Sequence, residues 1–144
     1  MEEKVHFGNF KIESNRNGGW FVGSFLEEEK DKLRKLDNVE IKFWELPQSK
    51  ADHKMKYEPK AVEITILLKG RIEGGIENKE KGRYEKIKLK ADDYVIIPAR
   101  VINGFPETVL EYAQGITIKL PSKRDRQKVS GDDYRKLKDT RDKS

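Results

Sequence analysis

Cysteine is absent and histidine occurs only at His6 and His53, so the chemistry open to this chain is bounded before its fold is considered. No thiolate nucleophile, thiolate metal site or disulfide is possible. A three-histidine zinc centre is excluded, and an iron site of two histidines and one carboxylate would consume both. Proton transfer beside a carbonyl needs a base of tuned pKa and an acid opposite it, and the available candidates are His53, Glu63, Lys56 and a tyrosine. Asp52 and His53 are sequence neighbours that would point to opposite sides of a strand, which weakens any histidine–acid pair. His53 lies in the polar stretch 47–60, where a solvated loop histidine is the plainer reading, and His6 reads as structural or exposed. Gly18-Gly19 and Gly74-Gly75 are turn glycines without a following helix, so neither is a phosphate-binding fingerprint. Trp20 and Trp44 read first as core or interface aromatics, although Trp44 shares a strand face with Lys42 and both are candidates to line a cavity mouth. Tyr84 and Tyr94 sit at strand starts, where amphipathic aromatics are commonly half buried.

The elements that must position these residues read as short β-type runs with one helical interruption. Runs at 5–12 and 20–26 flank the turn cluster 14–19. Ser24 and Glu27 form a capping box, and Leu26, Leu33 and Leu36 recur on one face, which predicts a helix of two or three turns over 27–36. Residues 39–44 alternate, with Val39, Ile41 and Phe43 on one face and Glu40, Lys42 and Trp44 on the other. In 62–68, Val62, Ile64, Ile66 and Leu68 oppose Glu63, Thr65 and Leu67, so both faces are expected to be covered. Gly70 is expected to close a hairpin into 71–76, with further strands at 84–89, 94–97 and 109–120. Eight or nine strands with turns every 8–12 residues, and no βαβ rhythm, predict an all-β antiparallel sandwich or barrel with one or two short helices.

Leu, Ile, Val and Phe make up a quarter of the 144 residues, above the roughly 20% floor for a folded chain, and this length makes one domain. The net charge of +5 sits mostly after residue 120, where nine Lys/Arg meet five Asp, while the body is nearly balanced. Nucleic-acid binding therefore ranks last. The segment 121–144, with Val129, Tyr134 and Leu137 as its sizeable apolar residues, is expected to be a mobile or loosely docked tail that can be truncated after Ser122, with a short helix possible from Ser130 and Asp133. Residues 1–38 are expected to pack on a barrel core at 39–120. No apolar run approaches ~18 residues and no signal or transit peptide opens the chain, so a soluble cytoplasmic protein is expected. Apolar residues on both faces of 62–68 predict a homodimer. The Lys and Glu excess is found in heat-adapted proteomes and is also produced by an AT-rich genome.

Glu63, followed after six residues by Gly70, matches the end of the first cupin motif, and 91–98, a tight turn leading through an apolar strand into Pro98, looks like the core of the second. The chain from about 39 to 120 therefore resembles the cupin superfamily, and the resemblance implies an antiparallel double-stranded β-helix, or jelly-roll-like barrel. It also implies four metal-ligand positions, which fall on Lys56, Glu58, Glu63 and Asn103; only Glu63 is retained. A charged Lys ligates no metal and Asn is a poor ligand, so the resemblance argues for the fold and against the usual metal chemistry. If the strands run as in cupins, these four residues point into the barrel mouth. Bare charges there would cost several kcal/mol or more each, so they need each other or a ligand. Three readings follow: a salt bridge from Lys56 to Glu63 or Glu58 that plugs the pocket, a site for a small polar or anionic molecule without cofactor, or an unusual metal site from Glu58, Glu63 and His53. The binding reading competes with a metal-independent isomerase or epimerase, because some cupins work by proton transfer alone.

Overall fold

A computed structural model describes residues 5–27, 33–49 and 55–129. Its frame is a pair of long antiparallel strands, β4 (Val62–Asn78) and β7 (Asn103–Leu120), paired along most of their length. Near its start β4 also pairs β6 (Tyr94–Ile97), and further on it pairs β5 (Arg83–Lys90), all antiparallel. On its other edge β7 pairs β2 (Glu40–Leu46) and, at Asn103, β3 (Lys56–Tyr57); β1 (Trp20–Val22) extends β2, and β8 (Gln127–Lys128) extends β3. This curled, mainly antiparallel sheet is a double-stranded β-helix. Among the described residues no helix is long and apolar enough to cross a membrane.

The sheet curls because its two long strands bend. The expected hairpin at Gly70 does not form; β4 runs through that position instead. Gly70 has φ +88°, and a Cβ there would collide with the Tyr112 carbonyl of β7, so only glycine allows the two backbones to turn together. On both sides of the bend, Leu67, Ile72, Leu89, Ile97, Phe105, Val109 and Ala113 form the buried core. Outside it, Val62, Ile64 and Ile66 are partly covered, and Tyr94, Ile96 and Leu120 beside them are exposed.

The N-terminal expectations need correction. Within 5–12, the described segment is not a strand: α1 (Phe10–Glu13) is a single helical turn, because the Asn9 side chain accepts from the Lys11 and Ile12 amides and caps it. A 3-10 turn, Ser14–Arg16, follows. The strand begun at Trp20 ends at Val22. Of the helix expected over 27–36, residues 28–32 lie outside the described residues; Leu26 is buried whereas Leu33 and Leu36 are exposed, so the three do not share a packed face. Tyr84, expected half buried, is fully buried with its hydroxyl on Glu107, while Tyr94 is largely exposed.

Candidate functional site

Register converts strand alternation into a cavity wall with a polarity gradient. At one end of the barrel, Glu40, Lys119 and Glu63 stand side by side on β2, β7 and β4, their side chains buried on the inner face. One step inward, Lys42, Thr117 and Thr65 form the next row, and a further step gives Trp44, Gly115 and Leu67. Charge at the mouth thus grades into hydroxyls and then into the apolar core. Gly115 is what lets the Trp44 ring lie flat on this wall, since a Cβ there would run into the indole. Trp44 Nε1 donates to Thr117 Oγ1 at 3.0 Å, and Thr117 and Thr65 hydroxyls lie 3.3 Å apart, so the indole is oriented and its N–H satisfied.

The charged end is a network. Lys119 Nζ lies 3.3 Å from Glu58 and 3.8 Å from Glu40. Ser122 Oγ donates to Glu40 at 2.9 Å. Lys56 Nζ is 3.9 Å from Glu63 Oε1. Arg126 Nε donates to Glu58 at 3.0 Å and reaches 4.0 Å from Glu63, and Arg124 stands 3.9 Å from Glu40 and over the Phe25 ring. Two adjoining cavities open here and share Trp20, Lys42 and Arg126: one of about 110 Å³ reaches in past Trp44, Lys56, Glu63 and the two threonines, and one of about 250 Å³ is bounded by Glu40, Lys119 and Arg124. Around them five basic side chains, Lys42, Lys56, Lys119, Arg124 and Arg126, face three carboxylates, Glu40, Glu58 and Glu63. Burial, with Arg126 adding to it, holds the Lys42 amine below the usual lysine range, against the pull of Glu63. Burial likewise depresses Lys56, although Glu63 opposes it.

Of the residues expected at the site, Lys42, Trp44, Lys56 and Glu63 line the cavity together. Glu58 is buried just behind it, against Lys119 and Arg126. Asn103 ties strands together instead, its amide donating to the carbonyls of Lys56 and Val101. His53 lies outside the described residues, and His6 stands 3.9 Å from Glu13, away from the barrel mouth. Of the positions that match cupin metal ligands, Lys56 is an ion-pair cation and ligates no metal; Glu58 meets Lys119 and Arg126 through Oε1 alone and the Asn103 amide nitrogen donates to backbone, while Glu58 Oε2, Glu63 Oε2 and Asn103 Oδ1 are buried without a hydrogen-bond partner. Among the described residues no group of three or more His, Asp or Glu converges as a metal site.

Sequence reasoning missed Glu40, Lys119, Arg124, Arg126, the two threonines and Trp20 as lining residues. Strand alternation held the signal for Glu40, Thr65, Thr117 and Lys119. Nothing local marks Arg124 and Arg126, which come from the segment assigned to the tail; residues 121–128 pack on the barrel, with Ser122 buried and β8 paired to β3. Residues 130–144, including Tyr134 and Leu137, lie outside the described residues. Truncation after Ser122 is therefore expected to lower the melting temperature by several degrees, where the sequence alone predicted no change; an unaltered melting curve would show that these contacts contribute nothing.

The fold is that of a double-stranded β-helix, and the chain is similar in fold to several solved structures. It is similar to an uncharacterised Klebsiella pneumoniae protein with a double-stranded beta-helix domain, at 15% identity and TM-score 0.52, covering 65% of this chain and 76% of that one. Oxalate decarboxylase from Bacillus subtilis matches at 13% identity and TM-score 0.58, over 72% of this chain and 26% of its own. Peruvianin-I, a cysteine peptidase from Thevetia peruviana latex, matches at 17% identity and TM-score 0.51, over 65% of this chain and 56% of its own. The chain thus spans little more than half of one of these proteins and about a quarter of another. No protein-family model matches the sequence, and no curated protein matches it significantly.

Proposed function

We propose that the protein binds a small organic carboxylate in the barrel mouth, without a transition metal. The observation that carries this reading is the surplus of basic over acidic side chains around a small cavity, in a wall otherwise built of threonine, tryptophan and apolar groups. A salt-bridged plug alone would be expected to balance its charges. Here Lys56 and Glu63 neutralise one another, Lys119 is shared by Glu40 and Glu58, and Arg126, its side chain 40% exposed, lines both cavities. An entering carboxylate would supply the missing negative charge and meet a guanidinium suited to bidentate pairing.

The test is a melting-temperature series with acetate, L-lactate and malonate at matched ionic strength, since a ligand that binds only the folded state raises the midpoint by mass action. Arg126→Gln should weaken the carboxylate response about tenfold or more, the usual effect of losing a charged hydrogen bond. A series without any specific shift, in a protein that unfolds reversibly, would sink the reading and leave the plug.

A further inference from the structure

Lys42 differs from the other basic residues of the mouth. Lys56 lies within ion-pair distance of Glu63, Lys119 of Glu40 and Glu58, Arg124 of Glu40 and Arg126 of Glu58. Lys42 has no carboxylate within 4.0 Å among the described residues. Its Nζ instead sits 5.6 Å from the centre of the Trp20 ring. It also lines both mouth cavities, so a small molecule in either one meets it. An amine buried beside the Arg126 guanidinium, with no carboxylate within ion-pair distance among the described residues, gives up its proton more easily and becomes a nucleophile.

We infer that Lys42 is a nucleophilic amine that condenses with the carbonyl of a small 2-oxo carboxylate to form an imine. The inference rests on the carboxylate-binding reading, because Arg126 is the group that would hold the ligand's carboxylate beside Lys42. The Nζ lone pair forms a bond to the carbonyl carbon and the oxygen takes up a proton, giving a carbinolamine. The C–O bond then breaks, the oxygen leaves as water, and the nitrogen has lost both its protons to it. The Lys56–Glu63 pair on the same wall is able to relay them. The depressed proton affinity of Lys42, caused by burial and then Arg126, agrees with this role.

The test uses the intact protein with sodium pyruvate and sodium borohydride, followed by intact-mass and peptide mass spectrometry, beside the L-lactate melting shift. The expected result is one reduced pyruvate adduct on Lys42, formed at least tenfold faster than on any other lysine, suppressed by excess L-lactate and absent in Lys42→Arg. The adduct is mapped in the unmodified chain, so the outcome does not depend on a variant folding. A lactate shift without preferential labelling of Lys42 overturns the imine and leaves carboxylate binding standing. Labelling concentrated on Lys56, or spread evenly over surface lysines, also overturns it. Preferential Lys42 labelling that lactate neither suppresses nor accompanies with a melting shift supports the nucleophile and removes the carboxylate reading beneath it.

Discussion

Lys119→Met should destabilise the protein by about 3–5 kcal/mol, the usual cost of stripping one partner from a buried ion pair. Lys119 is 3% exposed and stands between Glu40, 1% exposed, and Glu58, 4% exposed. Methionine keeps most of the volume, so the loss reports charge rather than a cavity. Glu40 would retain the Ser122 hydroxyl and a half-exposed Arg124, and Glu58 would retain Arg126, but both carboxylates are left buried with less compensating charge. A domain of this kind has a total stability of roughly 5–15 kcal/mol, so the change removes a large share of it. Urea unfolding at an unchanged m value is the measurement. A midpoint shift corresponding to under about 1 kcal/mol, the range of exposed pairs, would mean that the mouth is wetter than its burial indicates.

Glu63→Gln is the second large effect, and it moves stability and binding in opposite directions. The substitution leaves Lys56 without its partner and removes the carboxylate nearest to Arg126's second reach, so a loss of about 3–5 kcal/mol is expected if the pair is buried as observed. The same change raises the net positive charge of the mouth, so carboxylate affinity should increase. Adding Lys56→Met should recover much of the stability, because it removes the buried ammonium that Glu63→Gln leaves without its partner. Recovery should be partial, since Arg126 and Lys42 still feel the absence of Glu63. The double-mutant cycle isolates the pair only to that extent. A single change neutral for stability that abolishes the carboxylate response would show that Glu63 acts on the ligand and not as a counter-charge.

Strand alternation determined a good deal of this protein from sequence alone. Period two placed Glu40, Lys42 and Trp44 on one face and Glu63, Thr65 and Leu67 on another, and those are the faces that line the barrel. The positions matching cupin ligands brought Lys56 and Glu63 to the mouth, where they lie within ion-pair distance. Local patterns failed where tertiary contacts compete with them. The run around Phe10 reads as a strand but turns helically under its Asn9 cap, and Gly70 reads as a hairpin turn although the pairing of β4 with β7 carries the strand through it. Which face turns inward was also beyond the pattern, because a strand apolar on one side and charged on the other would normally bury the apolar side. Only the curl of the sheet decided otherwise: it encloses Glu40, Glu63 and Lys119, whose registers differ in sequence by 23 to 79 positions, and their mutual pairing offsets a desolvation that no one of them could bear alone. Arg124 and Arg126 belong to the same class. Their charges are ordinary in a basic segment, and they become part of a site because Ser122 is buried against Glu40 and β8 joins β3, which turns the chain back over the mouth.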